Sequence, residues 1–513
     1  MVSRSYVIVF TLVMALIGVA ILPAAAQAGR TFYIDYASGS NSNNGTSKST
    51  PWKTHPYMQS GASCTESGTA PSYAHVAGDQ FIFKGGVTWP VACFQMSIPA
   101  GGNSGASDYY GVDQTWYSGG SFARPLFDMG QNVPAGRHVI TATSNFGGYT
   151  TFDNLEIANQ QVPLGAANAD DAYNFAAVTG GLPGVLIENG YIHDWISNTD
   201  VHSQSSSFPW PYSAGSIDDG HDRITVDHMT IEDSGGWVFN GSTKVTGGYS
   251  GGCVNCGTVS NSTIHDVGSA CFTVVSCHDN EFYNVRQSSY DLCPCRPHSQ
   301  VIEDDEPSGS SGGGWMKVYN NVIHDNSGAG VTIYVPYDSY VYNNVMWNNA
   351  NGNIRLTIIA NDSGAAVGYV FNNTVDCSNN TPCIGTDAKG SDLGELDLKN
   401  NHWITNGSPT CFGQTGCGNL NVVQSNNVTM STTTASSEGY TRADKYEPMA
   451  STSGTVSKGI SLSGDCSGPL GSLCYDRLGN PRLSAWDAGA YEFGGQSQSS
   501  KPNPPTNLTA TVQ

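Results

Sequence analysis

A short unit repeats along the middle of the chain, and it restricts the fold more than any other feature. A β-branched strand, then Asn or Asp, an apolar residue and a polar turn recur. The copies are VLIENGYIHDW (185–195), ITVDHMTIEDSGG (224–236), GTVSNSTIHDVG (257–268), VSCHDNEFYNV (275–285), MKVYNNVIHDNSGAG (316–330), YVYNNVMWNNANG (340–352), YVFNNTVDCSNN (369–380) and LDLKNNHWITNG (396–407). A unit this small cannot bury its own apolar face, so it must stack on its neighbours. Aligning Ile192, Ile231, Ile264, Phe282, Ile323, Val345, Val375 and Trp403 gives spacings of 39, 33, 18, 41, 22, 30 and 28. The short spacings match one coil of a parallel β-helix, and the long ones a coil with an inserted loop. In Val318-Tyr319-Asn320-Asn321-Val322-Ile323 the apolar period is two, which reads as strand. A β-propeller needs a steady, longer period and fits less well.

Solenoids need covered ends. Residues 29–135 lack the Asn-rich unit and read as an N-terminal cap with first strands, before the repeats at 136–430. The unit fades again over 431–493, which read as a C-terminal cap, and 494–513 are a Gly/Ser/Gln/Pro linker-like tail. The first 28 residues combine Arg4, an apolar run from Val7 to Leu22 and the small residues around Ala24–Ala28, the pattern of a secretory signal peptide. No later stretch is apolar enough to span a membrane, so a secreted or extracytoplasmic protein, free or surface-associated, is expected. The 14 cysteines agree with an oxidising compartment, and 271/277, 377/383, 411/417 and 466/474 are spaced for short disulfide loops. Cys253/Cys256 and Cys293/Cys295 read as disulfides before zinc ligands.

The opening FYIDYASGSNSNNGTSKSTPWKT (32–54), the stretches GDQFIFKGG (78–86) and GVDQTWYSGGSFARPLFD (111–128), and the closing DRLGNPRLSAWDAGAYEF (476–493) resemble secreted bacterial right-handed parallel β-helix proteins of the pectate lyase-like superfamily. The resemblance implies an all-β, right-handed parallel β-helix with N- and C-terminal caps, acting on or binding an extracellular polysaccharide. It does not choose a chemistry, because this solenoid carries many.

Two long insertions hold the candidate site residues. The first contains Asp200 and then Asp218, Asp219, His221, Asp222 and Arg223. Its carboxylates suit either an acid/base set or an oxygen cage for Ca²⁺ built from Asp218, Asp219 and Asp222. The second contains Arg296, His298 and Glu303 and ends at Lys317. Elimination on a uronate needs cations beside the substrate carboxylate and a base, which Arg223, Arg296, Lys317, His221 and His298 would supply. Hydrolysis needs paired carboxylates. Asn198-Thr199-Asp200 followed by Asp218-Asp219 is similar to polygalacturonase-type hydrolases, although no Gly-His-Gly or Arg-Ile-Lys follows. The expected activity is cleavage of an acidic polysaccharide by β-elimination; the alternatives are a polygalacturonase-like hydrolase using Asp200, Asp218 and Asp219, and a non-catalytic glycan-binding or cell-surface structural protein.

The pairs His193-Asp194, His265-Asp266 and His324-Asp325 recur at one repeat position and read as turn residues, and the Asn doublets read as turn or ladder asparagines. Trp210, Trp237, Trp315, Tyr334 and Trp347 are sugar platforms if they face a groove, or core. The formal charge of −21, with 21 Lys and Arg and no basic cluster, excludes nucleic acid as a partner. It also repels a polyuronate unless local cations reverse the field.

Overall fold

Each repeat unit becomes one coil because its two strand segments are separated by a two-residue turn that only certain side chains enter. The computed structural model describes residues 29–494 except 60–63, 65–68, 131–137, 161–170, 176, 179–181, 195–214, 219–223, 233–236, 239–242, 245–250, 255, 268, 273, 286–299, 305–314, 334–337, 351, 357–365, 380–381, 386–392 and 411–420. The described strands form three long parallel sheets and one small hairpin. The first sheet has 13 strands, from Thr31–Ile34 to Asn421–Ser425. The second has 12, from Thr88–Pro90 to Val428–Met430, and the third has 10, from Met96–Ile98 to Ile384–Gly385. A typical coil runs Leu186–Glu188 in the first sheet, Tyr191–His193 in the second and Gly215–Asp218 in the third, then re-enters the first at Thr225–Asp227. This is a right-handed parallel β-helix, and successive coils are about 4.8 Å apart.

One apolar residue per strand points inward and stacks on its equivalent. On the first sheet the column is Ile187, Val226, Val259, Cys277, Val318, Val341, Val370 and Leu398. On the second it is Ile192, Ile231, Ile264, Phe282, Ile323, Met346, Val375 and Trp403. The sequence alignment therefore slips at one coil, where Met346 and not Val345 faces inward. Val345 is equally buried because it packs outward with Val322, Trp347, Tyr446, Ala490 and Tyr491, which erases the apolar alternation there.

The Asn doublets divide into two functions. The first residue takes the left-handed conformation, as at Asn320 (φ 59°), Asn343 (56°), Asn372 (53°) and Asn400 (56°), which Asn tolerates better than most residues. The second points inward and joins a ladder. Asn280 donates to Asn321, Asn321 to Asn344, Asn344 to Asn373 and Asn373 to Asn401, each at 3.0 Å between Nδ2 and Oδ1. The same Nδ2 groups reach backbone carbonyls such as those of Cys277 and Val318, so buried polar groups at the turn are satisfied.

Strands of all three sheets lie within 29–135, and Phe32, Phe81, Tyr110 and Phe152 form the inward column that continues into Ile187. Aromatic rungs replace the aliphatic ones there, so the repeat signature is lost while the geometry persists. Trp52 stacks on Phe32 at 4.5 Å and covers this end. At the other end, the closing motif folds back along the ridge between the first and second sheets. Asn343 bonds Tyr475 and Arg482, Asn372 bonds Asp487, and Asn400 bonds Ile460. Asp476 closes a turn by accepting from the amides of Leu478, Asn480 and Glu492, and buried Arg482 bridges Glu492 and Asn343 over Trp486. The motif at 476–493 is thus a structural strap.

Disulfides join Cys64–Cys93, Cys377–Cys383 and Cys466–Cys474, while Cys271 and Cys277 are free thiols. Among the described residues no helix is long and apolar enough to cross a membrane.

Candidate functional site

The third sheet is entered from the second through the longest insertions in the sequence, so its strands begin where those insertions end. Its inward column includes Ile217, Cys271, Ile302, Val331 and Ile354. The adjoining register position alternates with that column and is occupied by Thr141, Asn174, Asp218, Val254, Phe272, Glu303, Thr332 and Arg355. Asp218 and Glu303, drawn from the two separate insertions, therefore share one row, three strand steps and about 14 Å apart. Glu303 and Thr332 are fully buried and Arg355 is half-buried, so the row carries acid, hydroxyl and guanidinium groups in sequence.

Lys317 is not brought to this row. It lies on the first sheet, in register with Ser276 and Tyr340, with its ammonium 5.7 Å from the Tyr319 ring, and burial lowers its pKa. Asp200, Asp219, His221, Asp222, Arg223, Arg296 and His298 lie outside the described residues, as do Trp210 and Tyr334. Among the described residues no group of three or more His, Cys, Asp or Glu is arranged to hold a metal ion.

Sequence reasoning missed an acidic column on the first sheet. Asp153, Glu188 and Asp227 occupy one register position on three consecutive coils, next to the inward Phe152, Ile187 and Val226. The signal was readable as Phe-Asp-Asn, Ile-Glu-Asn and Val-Asp-His at equivalent strand ends. Asp153 accepts from the Tyr109 hydroxyl (2.6 Å) and Asn189 (2.8 Å), and Asp227 from Ser260 (2.6 Å) and Asn261 (2.8 Å). Glu188 lies between them, and burial together with the two flanking carboxylates raises its pKa. A carboxyl whose pKa is raised beside two other carboxylates is a starting point for acid/base chemistry.

The His-Asp pairs are strand-end devices, as their recurrence implied. Asp194, Asp266 and Asp325 adopt φ of 52°, 52° and 55°, and each accepts from Nδ1 of the preceding histidine at 2.9, 2.7 and 2.7 Å. The Nε2 atoms of His193 and His265 face Glu156 (3.2 Å) and Glu232 (2.9 Å). Burial draws both histidines down, but the paired carboxylates outweigh it and raise each pKa to about 9. Along this outer row His265, Tyr283, His324 and Trp347 stack at 4.4, 5.4 and 4.2 Å. Trp347 is 5% exposed and also meets Tyr446 edge-on, so its ring packs under the strap and offers no sugar platform.

No protein-family model matches the chain, and no curated protein is similar to it. Among solved structures it is similar to the GH136 lacto-N-biosidase from Eubacterium ramulus, at 13% identity over 78% of this chain and 68% of that one with a TM-score of 0.44. It is also similar to XylC in complex with xylose, at 11% identity over 91% and 99% with a TM-score of 0.45. Pectate lyase Pel9A aligns at 16% identity over 91% and 97% with a TM-score of 0.39. At these values none of them assigns a reaction.

Proposed function

We propose that the protein is a carbohydrate-active β-helix that cleaves an acidic extracellular polysaccharide by β-elimination, with the reacting sugar held at the Asp218 end of the third sheet and the buried Glu303 supporting the row from within. The observation that supports this reading is the register that sets Asp218 and Glu303, 85 residues apart in sequence, in one row of the third sheet, which continues to Arg355. Ten parallel strands at about 4.8 Å spacing make a face about 43 Å long, suited to an extended polymer. Asp218, Asp219 and Asp222 are an all-oxygen donor set, the chemistry of Ca²⁺, and when bound the ion would neutralise a uronate carboxylate and acidify the adjacent C–H. Arg223 and Arg296 add positive charge against that carboxylate, offsetting the repulsion expected from a net charge of −21. His221 or His298 takes the proton from the carbon next to the carboxylate. The electron pair forms a C=C bond, the glycosidic C–O bond breaks, and the departing sugar oxygen collects a proton.

A second reading, hydrolysis, is favoured by the raised pKa of Glu188 between Asp153 and Asp227. Consecutive coils set the backbones that carry these carboxylates about 4.8 Å apart, and hydrolysis uses paired carboxylates. Incubation with a panel of uronate polymers, with and without chelator, tests both. Unsaturated-uronate absorbance that disappears with chelator and in Asp218→Asn supports elimination. Reducing ends without that absorbance, lost in Glu188→Gln and retained in Asp218→Asn, replace it with hydrolysis. Polymer binding with neither product leaves a non-catalytic glycan-binding protein.

A further inference from the structure

Two sulfur atoms meet inside the solenoid at positions that need no sulfur. Cys271 lies in Ser269–Phe272 of the third sheet and Cys277 in Ser276–His278 of the first, on either side of the turn that joins those sheets. Both are fully buried, with their Sγ atoms 3.8 Å apart. The three coils that follow fill the same two inward positions with branched aliphatics: Ile302 and Val318, Val331 and Val341, Ile354 and Val370. Those residues pack the same interior without sulfur, so two cysteines facing each other in one coil bring a chemistry that packing alone does not call for.

We infer that Cys271 and Cys277 are a dithiol that oxidises to a disulfide bracing the third sheet against the first. The separation of six residues equals that of Cys377–Cys383, which closes the connection between the second and third sheets in a later coil. Closing from 3.8 Å to a bond of about 2 Å needs a small side-chain rotation and no rearrangement of strands. The oxidant is a small-molecule disulfide such as glutathione disulfide. One cysteine thiolate attacks a sulfur of that disulfide and releases one thiol; the second thiolate then displaces the other thiol from the mixed disulfide. One S–S bond forms in the protein and one is lost from the oxidant, with the two cysteine protons ending on the two released thiols.

The surroundings fix when this happens. Burial raises the pKa of Cys277, while Asn280 Nδ2 donates to its Sγ at 3.4 Å, and no solvent path reaches a side chain with no exposed surface. Thiolate is therefore scarce in the folded interior. The bond forms while the coil is still open, and afterwards reductants are excluded from it.

The full chain, folded in the presence of glutathione disulfide, is denatured in an alkylating reagent without reductant and cleaved at Phe272 for peptide mass mapping. The expected result is a pair of peptides joined through Cys271 and Cys277, lighter by two hydrogens than the two thiol forms and carrying no alkyl group at either. Dithiothreitol added to the native protein should leave the bond intact, and dithiothreitol in urea should break it. Alkylation at both cysteines overturns the proposal. So does a bond from Cys271 to Cys253, which stands opposite it on the neighbouring strand. The double variant Cys271→Val with Cys277→Val carries the aliphatics used by other coils and should fold, melting about 2 °C below the oxidised protein. A variant that melts with the oxidised protein refutes the bracing.

Discussion

The two asparagines of a doublet should respond to substitution in opposite ways, and Asn320-Asn321 is the clearest case. Asn321 is fully buried. Its Oδ1 accepts from the amide of Asn280 (3.1 Å) and from Asn280 Nδ2 (3.0 Å), while its Nδ2 donates to the Cys277 carbonyl (2.9 Å) and to Asn344 Oδ1 (3.0 Å). Asn321→Ala takes the acceptor from the Asn280 amide and a donor from the Cys277 carbonyl. At about 1–3 kcal/mol for each of these two buried groups left unsatisfied, the loss is about 2–6 kcal/mol. Asn320 instead supplies φ of 59° and one bond to Asp279 at 3.3 Å. Asn320→Gly keeps that backbone accessible and should cost less than about 1 kcal/mol, whereas Asn320→Ala adds about 1–2 kcal/mol of left-handed strain. Urea unfolding followed by far-ultraviolet circular dichroism gives the ranking, and amide exchange at Asn280 gives the local effect. If Asn320→Gly destabilises as much as Asn321→Ala, or if the Asn280 amide stays protected in Asn321→Ala, the ladder does not hold the turn in the way described.

Removing the guanidinium in Arg482→Met leaves Glu492 and the Asn343 side chain without their buried partner, a loss of about 3–5 kcal/mol that should expose 440–493 to limited proteolysis before the coils are cut. Stability should pass through a maximum near neutral pH. His193 and His265 have folded pKa values raised to about 9, so their contribution is complete below the unfolded value of about 6.5 and fades as pH rises through 9. His55 and His402 are buried and lowered to about 3, so the folded state loses stability as pH falls from about 6.5 towards 3. Melting temperature against pH should therefore fall on both sides, and His193→Gln with His265→Gln should flatten the alkaline limb while leaving the acid limb in place.

Much of the fold was legible because a solenoid writes its geometry into the sequence at every coil. Ile192, Ile231, Ile264, Phe282 and Ile323 could be aligned by eye since each faces the same interior, and the recurrence of His-Asp at 193/194, 265/266 and 324/325 marked a turn position. The rule failed where a second layer covers the coil. Val345 and Met346 look equally apolar because the returning strap buries the outer face as well as the inner one. It also failed at the N-terminal coils, where Phe32, Phe81 and Tyr110 perform the task of Ile and Val without the Asn turn that advertises it.

The candidate site was less legible. Asp218, Glu303 and Lys317 were chosen by chemistry and proximity in the chain, but which sheet a residue joins depends on where each insertion returns to the coil. That return places Asp218 and Glu303 in one row and Lys317 on another face. The acidic column of Asp153, Glu188 and Asp227 was missed for the complementary reason, since residues 35 and 39 positions apart become neighbours only once the coils are stacked. The repeat by itself determined a parallel β-helix, because no unit can bury its apolar face alone. The stacking register alone decided which polar groups meet, because insertions of unequal length hide that register from any reading along the chain.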